Sequence, residues 1–196
     1  MRPMKNLREL ILVSLFAAMT CILSIFLIPL PFTPVPITLQ IVGVTLSGAI
    51  LGPTLGFYSL ALYTLLGLIG LPVFAGGGSG FGALLGPTGG YIFGFMAGAY
   101  VIGHLTRFGY GKFSRGKVSK YVIQLSAMAA GIVVVYTFGS LQLMVVTGMS
   151  LTQSVATGAL PFLLPDLLKV SAAAIVAVAL RDGLIKAHLI SPSGEI

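Results

Sequence analysis

Pro161-Phe162-Leu163-Leu164-Pro165-Asp166-Leu167-Leu168-Lys169 opens the last long apolar segment of the chain. Asp166 and Lys169 are the only charges within the apolar body of the sequence. Every other charged residue lies near a terminus or in one basic segment. Three residues apart on a helix, the two share a face. A charge in hydrocarbon costs about 2.5–3.5 kcal/mol on insertion scales, so such groups face a cavity or one another. The functional reading is a binding site. The bland reading is a neutralised pair that only locks a helix bundle.

The apolar body sets the fold class. No Asp, Glu, Lys or Arg occurs from Leu10 to Thr106, or from Tyr121 to Pro165. Hydrophobic residues make up 57% of the chain and charged ones 8%, with mean hydropathy +1.06. A soluble domain is not built this way, so the expectation is an all-α integral membrane protein. The first apolar run is too long, and lacks a small-x-small site after it, to read as a cleaved signal peptide. The net charge of +7 is not a nucleic-acid signal, because the basic residues flank apolar spans. Cys21 is the only cysteine, which rules out an intramolecular disulfide.

Punctuation by proline, glycine and charge predicts six spans. Span one is Leu10–Ile28, followed by a proline-rich extended link with Pro29, Pro31, Pro34 and Pro36. Span two, Ile37–Leu51, is short, about 22 Å, and breaks at Gly52-Pro53. Span three is Thr54–Leu71. Glycine-rich Pro72–Gly90 is expected to be an ordered outer loop between helices 3 and 4. Span four is Tyr91–Thr106, span five Tyr121–Val146 and span six Phe162–Leu180. Arg107–Lys120 reads as a basic loop, Thr147–Leu160 as a neutral loop, and a tail begins at Arg181. Six spans put the basic head (Arg2, Lys5, Arg8), the basic loop and the tail on one side. The positive-inside rule makes that side cytoplasmic, with both termini on it. Five or seven spans would break this partition. Residues 1–196 then form a single six-helix transmembrane domain in the cell membrane, with Asp166 and Lys169 in its outer half.

Three further features bear on chemistry. Phe74 to Tyr91 is the most unusual stretch. Its glycines let backbone approach a ligand, and interleaved Phe74, Phe81, Leu84 and Leu85 suit a packed lid better than a loose linker. It is not a phosphate loop: Gly111-Lys112 is followed by Phe113. Gly77-Gly78-Ser79-Gly80 matches a Gly-x-Ser-Gly protease motif, but His104 and His188 fall at the opposite side and cannot act as its base. Two isolated histidines and one cysteine offer no metal site. On span one, Ser14, Ala17, Ala18 and Cys21 make a small-residue face that allows close approach, either by a partner or within the molecule. Gln40, Gln124 and Gln142 are neutral polar groups in apolar surroundings. Gln40, near the outer end, is the better ligand candidate. Tyr136 and Gly139 share a face on span five.

These residues together resemble the BioY family, the biotin-specific substrate-binding (S) components of energy-coupling factor (ECF) transporters. A signature Phe-x-Gly-Gly-x-x-Gly, five residues, then Gly-Pro-Thr-Gly-Gly-Tyr is met by Phe74, Gly76, Gly77, Gly80 and Gly86 through Tyr91. A second is met by Tyr136, Gly139, Leu143, Gly158, Pro161, Phe162, Asp166, Lys169 and Ala173. Ser154 and Ala159 depart from it by small changes. The resemblance implies a non-enzymatic subunit that captures biotin from outside and needs no cofactor. It implies docking of Ser14, Ala17, Ala18 and Cys21 on a transmembrane coupling subunit, with two separate ATPase subunits supplying energy. Alternatives are an S component for another vitamin, or a structural or enzymatic membrane subunit. The expected ligand residues are Asp166, Lys169, Phe162, Tyr91, Gly76, Gly77, Ser79, Thr88, Gly89 and Gln40. Asp166 would accept from the ureido N–H groups, and Lys169 would donate to the ureido carbonyl or the carboxylate. Aromatic rings and glycine-rich backbone would sandwich the bicyclic ring.

Overall fold

The computed structural model describes residues 6–113 and 116–187, so Arg2, Lys5, Arg115 and His188 lie outside the described residues. Helix α1 (Leu7–Ile25) leads into strands β1 (Leu27–Ile28) and β2 (Ile37–Thr38), which pair antiparallel with Leu27 opposite Thr38. The proline-rich link is therefore the connection of a tiny hairpin. Prolines donate no N–H, which holds the ladder to two residue pairs.

Helix α2 (Gln40–Leu68) contains the predicted break. Gly52 takes φ 81° and ψ −175°, a left-handed conformation open to glycine, and Pro53 cannot donate to the preceding turn. The chain reverses there. Gln40 and Tyr63 are hydrogen-bonded, and a Cβ on Gly56 would reach within 3.0 Å of the Gly48 Cα. On one straight helix Gln40 and Tyr63 would be about 34 Å apart. The two limbs are thus an antiparallel pair, and the first is only about 18 Å long.

Pro72–Gly90 is ordered, as expected, but it is not purely loop. It holds a 3-10 turn at Ala75–Gly77, a bridge between Phe74 and Gly78, and helix α3 (Gly80–Leu85). Gln142 secures α3 by donating to the Leu84 and Gly86 carbonyls at 2.6 and 2.8 Å.

Helix α4 (Gly89–Phe113) overruns its predicted end, and α5 (Lys117–Thr147) begins earlier than predicted. The supposed basic loop is mostly helical: Arg107 and Lys112 extend α4, and Lys117 and Lys120 open α5. Arg and Lys are good helix formers, and long cationic side chains tolerate a helix end by snorkelling. The supposed neutral loop also contains a helix, α6 (Leu151–Gly158). Ser150 and Gln153 form a reciprocal capping box, a start signal present in the sequence. Helix α7 (Leu160–Lys186) carries the helix through Arg181, where a tail was expected.

Counting the limbs of α2 separately, long helical segments alternate in direction. One end of the bundle gathers β2, Gln40, Tyr63, Phe74, Tyr91 and Phe162. The opposite end gathers the Gly52 turn, Arg107, the Thr106–Gln124 hydrogen bond, the Lys120–Asp182 ion pair and Arg181. Arg181 is buried, donates to the Ala49 carbonyl at 2.7 Å and stacks on Tyr110. Helix α4 lies between α2 and α5, α1 packs on α2, and α7 closes against α2 and α5. By length and composition, four helical stretches among the described residues could cross a membrane: Leu7–Ile25, Gln40–Leu68, Lys117–Thr147 and Leu151–Lys186. Helix α4 falls outside that set because its many glycines and tyrosines dilute its apolar character.

Candidate functional site

Asp166 and Lys169 sit on successive turns of α7 and form an ion pair of 2.7 Å with side chains 10% and 14% exposed. Neither carboxylate oxygen is idle. Oδ1 accepts from Lys169 Nζ, and Oδ2 accepts from the Tyr136 hydroxyl of α5 at 2.7 Å. Lys169 also donates to the Thr38 carbonyl of β2 at 2.8 Å. A buried ion pair is tolerated only when further hydrogen bonds complete it, and Tyr136 and Thr38 provide them here. The pair is mutually neutralised, as the bland reading held, yet it is not sealed in a dry helix contact.

Asp166 lines a cavity with about 720 Å³ of empty space, part of it open to solvent. Each wall comes from a different element. Thr38 and Gln40 contribute from β2 and the start of α2, and Phe74 from the segment before the 3-10 turn. Tyr91 and Phe95 come from α4, Tyr136 from α5, and Phe162 with Asp166 from α7. The composition is apolar and aromatic with few polar atoms, which is how a site fixes the orientation of a small ligand.

Among the sequence-predicted residues, Asp166, Phe162, Tyr91, Thr88 and Gln40 line this cavity. Lys169, Gly76, Gly77, Ser79 and Gly89 stand outside its lining. Lys169 lies behind Asp166, spent on the carboxylate and on Thr38. Gly76 and Gly77 have φ of 70° and 77° and form the turn that brings Ala75 and Gly78 to the wall. Ser79 precedes α3 without a side-chain cap. Gly89 serves packing: a Cβ there would overlap the Leu84 carbonyl and the Gln142 amide. Tyr91 is anchored by donating to the Gly158 carbonyl at 2.7 Å, and its ring lies on Gly139. Gly139 thus lets α4 and α5 approach closely at this point.

The largest omission from the predicted set is Tyr136. Its sequence signal was a tyrosine in the charge-free span Tyr121–Val146, and a buried tyrosine needs a partner for its hydroxyl. Nothing local in the sequence says that Asp166 is that partner. Gln124 bonds Thr106 at the far end and Gln142 holds α3, so neither lines the cavity.

The small-residue face of α1 divides. Ser14 and Ala18 are exposed and Cys21 is half-buried, but Ala17 is fully buried. Ala17 belongs to the inner stripe with Val13, Phe16, Thr20 and Ser24, spaced three and four apart to pack on α2. Its predicted contact with an outside partner is corrected accordingly.

Ser79 at the cavity end and His104, about 22 Å along α4 from Gly89, are too far apart for nucleophile and base. Among the described residues no cluster of His, Cys, Asp or Glu could hold a metal ion.

Comparison with known proteins adds to the geometry. The chain is 38% identical over 174 residues to the "Probable biotin transporter BioY" of Pyrococcus horikoshii, covering 89% of this chain and 96% of the relative. It is 37% identical over 175 residues to the "Biotin transporter BioY" of Thermotoga maritima, covering 89% and 96%. The crystal structure of the S-component for biotin from an ECF-type ABC transporter superposes with a TM-score of 0.82. Sequence identity there is 29%, with 92% of this chain and 95% of that chain covered. The BioY family model matches residues 1–186, and the chain belongs to the BioY family.

Proposed function

We propose that this chain captures biotin from outside the cell as the S component of an ECF transporter. The observation that carries the reading is the cavity floored by Asp166, a buried carboxylate already oriented by two donors. Relatives named as biotin transporters cover the site-bearing chain nearly end to end. Asp166 accepts from a ureido N–H. Phe74, Phe95 and Phe162 supply apolar wall for the bicyclic ring. A site built on buried polar groups rejects analogues that leave them unpaired.

Six membrane crossings, with the limbs of α2 as short second and third crossings, account for the alternating helices. Arg107, Lys112, Lys117, Lys120 and Arg181 collect at the end opposite the cavity. The positive-inside rule makes that end cytoplasmic and turns the cavity outward. Ser14 and Ala18, on the exposed face of α1, are the contact for a transmembrane coupling subunit. Separate ATPase subunits energise transport.

The test is thermal denaturation of detergent-purified protein with a panel of vitamins. Biotin at a hundred times its Kd adds about 2.7 kcal/mol of stability, and the other vitamins add none. Asp166→Asn abolishes the shift while the variant stays folded. Equal stabilisation by another vitamin, or unchanged biotin binding by Asp166→Asn, would overturn the assignment.

A further inference from the structure

We propose that Gln40 is the hydrogen-bond donor that reads the ureido carbonyl of the ligand, and that Tyr63 sets its polarity. The inference rests on the biotin reading above and deepens it. It also moves the donor role from Lys169 to a residue that lines the cavity.

Proton accounting around Tyr63 carries the argument. Tyr63 is fully buried on the second limb of α2. Its hydroxyl lies 3.1 Å from the Val73 carbonyl. A carbonyl can only accept, so the single hydroxyl proton of Tyr63 goes there. The Tyr63 oxygen must then accept from whatever else it meets, and that is the Gln40 side-chain amide. Only the NH2 end of the amide can donate. The other end is consistent: Gln40 Oε1 accepts from the Thr38 hydroxyl at 3.0 Å. The amide is therefore locked, with one Nε2 hydrogen spent on Tyr63 and the second left over. Gln40 lines the cavity, and the group assigned to the ligand is this remaining Nε2 hydrogen, beside an Oε1 that the Thr38 hydroxyl already engages.

The complement lies nearby. Thr38 joins the two halves of the site: its hydroxyl holds Gln40, and its carbonyl holds Lys169, the partner of Asp166. The cavity thus presents an acceptor, Asp166, and a donor, Gln40, tied to one residue of β2. A cyclic urea carries N–H and C=O on adjacent ring atoms, and it answers both. Lys169 spends hydrogens on Asp166 and Thr38 outside the cavity lining, which makes it a positioning residue. Tyr63 is a second one, acting through Gln40. It also sets the wall, since its ring packs edge-on against Phe74 with centroids 5.6 Å apart.

The experiment compares biotin with 2-iminobiotin, whose protonated imine puts a donor where the carbonyl acceptor was. Both are titrated at one pH on which the iminobiotin is protonated, using parent protein and the Tyr63→Phe and Gln40→Glu variants. The parent is expected to prefer biotin strongly. Tyr63→Phe keeps the ring on Phe74 but frees Gln40 to flip. Its biotin affinity falls about tenfold, and the biotin-to-iminobiotin ratio narrows by a similar factor. Gln40→Glu offers only acceptors when ionised and moves the preference toward iminobiotin. A purely structural role for Tyr63 would lower both affinities together and leave the ratio intact, which overturns the inference. An unchanged ratio in Gln40→Glu overturns it as well. Failure of the parent to bind biotin at all would instead defeat the functional reading.

Discussion

Replacing Lys169 by methionine separates the two roles of the ion pair. The substitution removes one charge and keeps most of the side-chain volume. It leaves Asp166, 10% exposed in its side chain, with Tyr136 as its remaining hydrogen-bond donor. Breaking a buried pair by removing one partner costs about 3–5 kcal/mol, because the surviving charge is uncompensated. Replacing both partners costs far less, so the double variant Asp166→Asn/Lys169→Met recovers most of the loss. At about 2–4 °C per kcal/mol for a chain of this size, Lys169→Met lowers Tm by roughly 6–20 °C in detergent. The double variant returns toward the parent. The assay is a double-mutant cycle by thermal denaturation, run without biotin so that ligand linkage does not enter. A coupling energy near zero would refute the reasoning. It would mean that water in the cavity already solvates Asp166, and that the ion pair is incidental. The double variant, though stable, is expected to lose biotin binding, because Asn replaces a charged two-oxygen acceptor by one neutral amide oxygen and an NH2 donor.

Gly89→Ala is expected to destabilise by at least the 1–3 kcal/mol typical of overpacking, since the added carbon overlaps backbone at Leu84. Gly82→Ala, which meets nothing within 4 Å, is the matched control and should leave Tm unchanged or slightly raised. On α1, Ala17→Leu should lower the Tm of the isolated protein, because Ala17 is fully buried. Ala18→Leu should leave Tm unchanged and weaken co-purification with the coupling subunit. The opposite pattern would place the docking face elsewhere.

Several features of the molecule could be read directly from the order of residues. Charge-free stretches flanked by Lys and Arg specify apolar helices, because hydrocarbon excludes unpaired charge and unsatisfied backbone. The reversal at Gly52-Pro53 was legible because glycine admits positive φ and proline cannot continue the ladder. Asp166 stood out by its cost in an apolar segment. Ser150-x-x-Gln153 was also legible as a helix start, though the stretch reads as loop when weighed by polarity alone. Other features required folding to bring distant residues together. Tyr136 and Asp166 are bonded across α5 and α7, and Lys169 reaches Thr38 across most of the chain. Glycine-rich sequence marks close approach but does not say to what: Gly89 meets the α3 backbone, while Gly76 and Gly77 shape a turn. The two faces of α1 differ only by which side α2 covers, and that separates Ala17 from Ala18. Local sequence dictates where helices begin, turn and end through propensity and solvation. Which side chain completes which hydrogen bond is decided by packing, since a donor and its acceptor can lie anywhere along the chain.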